Sequence, residues 1–218
     1  MPVPNNVMVA FPAYAGSVHA GFQRSLIADM FEFAQRGDVV TLLDECHGAE
    51  IDTARAEIVA RFLASKAQHL IMIDSDLCWE RGALLKLVDA GKSFVAGAYP
   101  HRKDPITWSL HLLPNHDGKL IDGLLEVEAV PGGFVCVTRD MLQDMCSAYP
   151  EMEFTSSKTE HRCWALFDHV WRGKIRLSED LSFCARWRDM GGKIWVDPSI
   201  RIGHIGMKLF QGVLAHVK

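Results

Sequence analysis

One short stretch, His69 to Trp79, constrains this chain more than any other. Within it the apolar run Leu70-Ile71-Met72-Ile73 passes straight into Asp74-Ser75-Asp76. A continuous apolar run closed by polar residues suits a strand buried on both faces of a sheet. In an open α/β sheet, ligands bind beyond the carboxyl ends of such strands, which is where these two carboxylates stand. Placed together they can share one divalent cation, directly or through water, with coordination left over for substrate phosphates. The same acids equally suit capping a helix expected to start near Glu80. What else points at this spot decides between the two.

The 218 residues are enough for one sizeable core, and a single α/β domain is the natural prior. A formal net charge of −4 argues against a strongly basic surface that holds nucleic acid through its phosphates. The six cysteines are scattered, with no C-x-x-C pair and several inside apolar segments. They read as buried thiols in a reducing compartment rather than a disulfide framework or a zinc site. Met1 to Asn6 shows no basic region leading into a long apolar stretch, and no apolar run reaches the length of a membrane span. The expectation is a soluble, cytoplasmic protein without a signal peptide.

Taken in order, Val7 to Phe11 reads as a first buried strand closing on Pro12-Ala13-Tyr14-Ala15-Gly16. That loop is either a plain turn or a place for a nucleotide base, with Tyr14 stacking on it. A helix follows from Ala20 to Gln35, with Phe22, Leu26, Met30 and Phe33 at helical spacing and Gly37 ending it. Asp38 to Leu43 is a second strand. Ile51 to Ser65 is a second helix carrying Arg55 in its first turns, where the helix dipole disfavours a cation. Arg55 therefore needs a partner, either a phosphate or nucleotide or an acid such as Asp52. A helix from Glu80 to Ala90 and a strand from Lys92 to Ala98 precede the basic cluster Tyr99-Pro100-His101-Arg102-Lys103.

From Thr107 the pattern changes to short strands. Thr107 to Leu113 and Lys119 to Ile121 flank Asp117-Gly118, a hairpin signal. Leu124 to Val130 and Phe134 to Thr138 bracket Pro131-Gly132-Gly133, whose glycines allow close backbone approach. A helix spans Asp140 to Ala148, and the polar segment Pro150 to Glu160 is a candidate lid. Ser178-Glu179-Asp180 opens another helix, with Ser178 as N-cap and the acids suited to the dipole. Lys193 to Val196 is a last strand, followed by His204 set between glycines in Gly203-His204-Ile205-Gly206. The apolar segment Met207 to Lys218 either docks on the core or makes a homodimer contact.

In this order the pieces resemble a GT-A glycosyltransferase over nearly the whole chain, and more narrowly small bacterial and phage proteins distantly related to fungal mannosyltransferases. Phe11-Pro12-Ala13-Tyr14 resembles that class's donor loop, and Asp74-Ser75-Asp76 its Asp-x-Asp motif. Pro131-Gly132-Gly133-Phe134 is similar to the stretch bordering sugar and acceptor. Ser178-Glu179-Asp180 resembles the Glu-Asp motif, and Gly203-His204 the late histidine ligand. The resemblance implies one Rossmann-like α/β domain, with a mostly parallel central sheet flanked by helices and a smaller antiparallel acceptor-side sheet. Residues 1–104 would be the nucleotide-sugar-binding half and 105–218 the acceptor-side half. It further implies Mn2+ or Mg2+ on Asp74, Asp76 and His204, and a UDP- or GDP-sugar donor on Pro12, Ala13, Tyr14, Arg55, Asp74 and Ser75. Gly132, Gly133 and Trp164 would contact sugar or acceptor. Asp180, with Glu179 beside it, would be the catalytic base of an inverting transfer; in a retaining enzyme the same acid would only position substrate. The acceptor stays open among glycan, protein and modified nucleic acid. Two other readings also stay open. One is a nucleotidyltransferase, against which stands the lack of a Gly-rich loop with Arg and Lys after the first strand. The other is a degenerate, non-catalytic binding module.

Overall fold

The computed structural model describes residues 4–13, 16–45, 50–206 and 208–212. The first half of the chain runs β1 (Asn6–Pro12), α1 (Ala20–Arg36), β2 (Val39–Glu45), α2 (Ile51–Ala64), β3 (His69–Ile73), β4 (Leu77–Trp79), α3 (Ala83–Asp89) and β5 (Phe94–Gly97). Next come β6 (His111–Leu112), β7 (Leu125–Ala129), β8 (Phe134–Thr138) and α4 (Arg139–Ala148). Two hairpins follow, β9 (Glu153–Thr155) with β10 (Arg162–Trp164), and β11 (Trp171–Arg172) with β12 (Ile175–Arg176). The chain then forms α5 (Glu179–Asp189), β13 (Ile194–Asp197), β14 (Ile202–Ile205) and β15 (Leu209–Gln211).

Eight strands make the main sheet, in the order β2-β1-β3-β8-β5-β13-β7-β6. Period-two alternation divides its side chains between two cores. On β3, Leu70 and Met72 face α2, α4 and α5, where Ile58, Phe62, Met141, Met145 and Phe183 are buried. Ile71 and Ile73 face α1 and α3, against Phe22, Phe33, Leu84 and Leu87. Helix α1 ends at Gly37, whose φ of 85° lets the N–H groups of Gly37 and Asp38 return to the carbonyls of Ala34 and Phe33.

The sheet is mixed where a mostly parallel one was expected. β1 pairs in parallel with β2 and β3, and β5 with β13. The remaining neighbours, β3–β8, β5–β8, β13–β7 and β6–β7, are antiparallel. A continuous apolar run reports burial on both faces, which β8 shares with β3, and says nothing of strand direction.

Three further expectations give way. The Asp117-Gly118 hairpin does not form; Asp117 instead accepts from the Lys119 N–H at 2.9 Å, and β6 pairs with β7. The segment Pro150 to Glu160 holds a 3-10 turn and the β9 strand, and Thr159 donates to the buried carboxylate of Glu57 at 2.6 Å. Helix α3 starts at Ala83 and is capped from α1, because Asp29 accepts from the N–H of Leu84 at 2.9 Å and from Gly82. Neither Asp74 nor Asp76 caps it. Among the described residues no helix is long and apolar enough to cross a membrane.

Candidate active site

The turn after β3 sets the site. Its register with β8 pairs Ile73 with Phe134, so Asp74 falls opposite Gly133 and donates its N–H to that carbonyl at 2.8 Å. The chain then folds back at once, with Leu77 N–H on the Asp74 carbonyl at 3.1 Å. The Asp76 carbonyl accepts from Ile205 of β14 at 2.8 Å, and the Ser75 carbonyl from His19 at 3.2 Å. On a straight strand, residues two apart share a face. This turn sends the two carboxylates to different partners, yet leaves them near enough to repel.

Asp74 belongs to a buried cluster around Arg55. The Arg55 side chain, 3% exposed, reaches Asp74 Oδ1 at 3.3 Å through Nη2 and Glu179 Oε1 at 3.2 Å through Nη1. Nη1 also contacts Asp180 Oδ1. The guanidinium lies 5.8 Å from the Phe167 ring centroid. The partner this cation needs is thus a set of three carboxylates. Asp52 binds its own helix start, accepting from Thr53 N–H at 2.7 Å. Arg55 is therefore a buried counter-ion rather than an open phosphate contact. Burial raises the Asp74 pKa, Arg55 opposes the rise and Asp76 adds to it.

The glycine pair supplies room rather than unusual torsions. A Cβ on Gly132 would stand 2.7 Å from Asp180 Oδ1 and 2.9 Å from the Arg55 guanidinium carbon. One on Gly133 would fall on the Asp74 carboxylate and the Tyr99 hydroxyl. Tyr99 is buried at this point, and burial together with the Asp74 charge pushes its pKa well above 10. It stands there as a neutral phenol.

Asp76 turns instead toward β14. Its Oδ2 lies 3.4 Å from His204 Nε2 and 3.0 Å from Arg102 Nη1. His204 Nδ1 lies 2.8 Å from the Pro100 carbonyl, which can only accept, so Nδ1 carries a proton. The other nitrogen, Nε2, is left facing the Asp76 carboxylate, across a gap that either a proton on Nε2 or a cation can bridge. Partial burial works to raise the Asp76 pKa, but His204 and Arg102 outweigh it and hold the group below its ordinary value. Among the described residues no three His, Cys, Asp or Glu side chains converge as a metal group. What the structure offers is an oxygen and an imidazole nitrogen, a donor pair that suits Mn2+ or Mg2+ completed by substrate oxygens and water. Asp74 is held off this pair by Arg55.

No family model matches the sequence, and no curated protein does. The structure does have neighbours. A197 from STIV superposes with a TM-score of 0.58 at 15% identity, over 98% of both chains. GalNAc-T7, solved with UDP, GalNAc and Mn2+, superposes with a TM-score of 0.54 at 15% identity. The match takes in 93% of this chain and 44% of that one. The chain has a GT-A-like fold. At these identities the likeness speaks for the fold alone.

Within the GT-A-like frame the remaining expected residues fall unevenly. Pro12 and Ala13 close β1 beside β3, where Ala13 is buried and donates its N–H to the Glu45 carbonyl at 2.9 Å. Tyr14 lies outside the described residues, as do Met207 and 213–218. Trp164 does not join the site. It sits on β10 with the Arg162 guanidinium 4.9 Å from its ring centroid, packed against the core. The indole near Asp180 is Trp108, which with His101, Ser109, Pro131 and Ser178 lines a pocket of about 160 Å³ opening on that carboxylate. Sequence reading missed Trp108 and Tyr99 and saw Arg102 only as part of a basic cluster. For Tyr99 and Arg102 the available signal was their place just after β5, at a carboxyl edge; Trp108 is brought there by its bridge to Pro100, which no spacing announced. The larger hollow, about 570 Å³ between Gly21, Arg24, Cys78, Arg201 and Gly203, lies away from this chemistry, behind the β4–β14 pair.

Proposed function

We propose that the chain is a metal-dependent glycosyltransferase that moves a sugar from a nucleoside-diphosphate sugar to an acceptor hydroxyl. The observation that carries this reading is the Asp76 carboxylate facing Nε2 of His204, beside the Asp74–Arg55–Asp180 cluster. Asp76 and His204 would hold Mn2+ or Mg2+. When bound, the ion supplies positive charge for the leaving diphosphate. Pro12, Ala13, Tyr14 and Ser75 would border the nucleotide, within a donor half spanning 1–104. Residues 105–218 would form the acceptor half, with Gly132 and Gly133 bordering the transferred sugar.

Transfer is read as inverting. The acceptor oxygen bonds to the anomeric carbon as that carbon's bond to the diphosphate oxygen breaks, and Asp180 takes the acceptor proton. Asp180 lines the one described pocket that shares Trp108 and His101, which supports its role as base. A base of this kind is worth roughly 10²–10⁴ in rate. Arg55 fixes its orientation from below, while Glu179 completes the guanidinium's coordination. The five described cysteines are free thiols, which fits a reducing, cytoplasmic setting.

Calorimetric titration with UDP, GDP and their sugars, with Mn2+ and then with chelator, tests the reading. Metal-dependent binding that disappears in Asp76→Ala is the expected result. Absence of binding by the folded protein would leave a non-catalytic module, and release of pyrophosphate from a nucleoside triphosphate would make it a nucleotidyltransferase.

A further inference from the structure

Resting on that reading, we propose that the acceptor is a neutral oligosaccharide, its terminal sugar seated between Trp108 and Asp180 and its preceding units lying along α5. The pocket holding Asp180 is about 160 Å³ and shares His111 and Leu181 with a second pocket of about 310 Å³. Ala129, Leu177, Ala185 and Arg188 continue the lining there, so the two form one groove running away from the base. If Asp180 takes a proton from the acceptor, the attacking hydroxyl sits in the first pocket, and the rest of the acceptor has the second to occupy.

The lining matches the chemistry of a sugar chain. A half-buried indole and the proline and leucine side chains offer flat apolar contact to a sugar's C–H face. Ser109, Ser178 and His101 offer hydrogen bonds to its hydroxyls. What burial His101 has, with Lys103, His204 and His111 nearby, lowers its pKa.

Charge excludes the competing polymers. Along the groove Arg172 is paired with Asp189, Arg188 with Glu126 at 2.9 Å, and Asp180 with Arg55, while Glu128 adds one further acid. No surplus of cations awaits the phosphates of a nucleic acid or a phosphate-bearing lipid. A peptide bound along the sheet edge needs a ladder of main-chain groups. The edge strand here, β6, is two residues long.

The test is calorimetric titration of the chain, loaded with Mn2+ and UDP or GDP, with α- and β-linked oligosaccharides of glucose, galactose, mannose and N-acetylglucosamine. Lengths run from one to four units, with a Ser/Thr peptide and single-stranded DNA as the competing probes. One sugar series is expected to bind, with three units held roughly tenfold tighter than one. Trp108→Ala should abolish that binding while nucleotide affinity stays within about twofold. Because Trp108 packs on the core, Ala185→Trp provides the second variant. It fills the far pocket without touching Asp180, and should erase the gain with length while keeping the single-unit affinity. Nucleotide binding without any oligosaccharide binding, or tighter binding of the peptide or DNA, overturns the acceptor assignment. Loss of nucleotide binding itself overturns the transferase reading instead.

Discussion

The Asp76 oxygen that faces His204 is also the one that Arg102 holds. A divalent ion bound there, as proposed, would compete with the guanidinium for the same atom, and the arginine, 50% exposed, is the replaceable one. An exposed ion pair of this kind is worth about 0.2–1 kcal/mol. Arg102→Ala is accordingly expected to tighten nucleotide-free Mn2+ binding by about two- to fivefold, measured by titration of free Mn2+ in the electron spin resonance signal. Unchanged or weaker Mn2+ affinity would mean that Arg102 does not compete. Gly133 sets the opposite limit. Its missing side chain is the space of the Asp74 carboxylate, so Gly133→Ala must displace Asp74 or Tyr99. Overpacking of this kind costs about 1–3 kcal/mol. The expected result is a folded protein with a lowered melting temperature and nucleotide binding weakened at least tenfold; wild-type affinity would show that the turn can yield.

At the scale of elements, the hairpin β9–β10 packs Cys163 and Phe154 against Ala56 and Ala60 of α2 and is bonded to that helix through one buried acid. Burial would raise the Glu57 pKa, but hydrogen bonds from Ser156, Thr159 and His161 hold it below its ordinary 4.5. With the folded pKa below that of the unfolded chain, the carboxylate stabilises the fold above about pH 4.5, and this is lost as pH falls through the lowered value. In urea melts, Glu57→Gln should cost about 1–3 kcal/mol at pH 7, and the gap to wild type should narrow below pH 4.5. A gap independent of pH would place the cost in packing alone. Much at this scale was legible in sequence. Apolar spacing located β1, α1, α2, β3, β8 and α5 to within a few residues, since a buried face leaves its period in the chain. The small sheet was not legible, because β4 is three residues long and pairs Trp79 with Ile202 across more than half the chain. Nor was the role of Arg55. Its unfavourable place in the first turns of a helix announced a partner, but Glu179 and Asp180 stand over a hundred residues away. Asp74, Asp76 and His204 could be read as candidates, whereas the division of Asp74 from the other two depends on a turn whose shape no spacing encodes.

Across the whole molecule, the two cores on either face of the sheet are built from apolar side chains, and the candidate metal residues lie at its edge. Chelation is thus expected to leave the far-ultraviolet dichroism and the melting temperature unchanged. Mn2+ with nucleoside diphosphate at about 100 times its dissociation constant should add about 2.7 kcal/mol. For a chain of this size that is a rise of roughly 5–10 °C. A melting temperature that falls on chelation alone would show that an ion is part of the folded core. The bond from the Asp74 amide to the Gly133 carbonyl gives the molecule a definite pattern of motion. The two walls of the site, the turn after β3 and the glycines before β8, are successive rungs of one central ladder and can separate only if the sheet itself comes apart. Amide hydrogen exchange at Asp74 should therefore proceed at the rate of global unfolding. The segment from His101 to Ser109 folds back on itself instead, with the His101 N–H on the Thr107 carbonyl at 2.8 Å and the Ser109 N–H on the Tyr99 carbonyl at 3.2 Å, and can move without breaking a rung of that ladder.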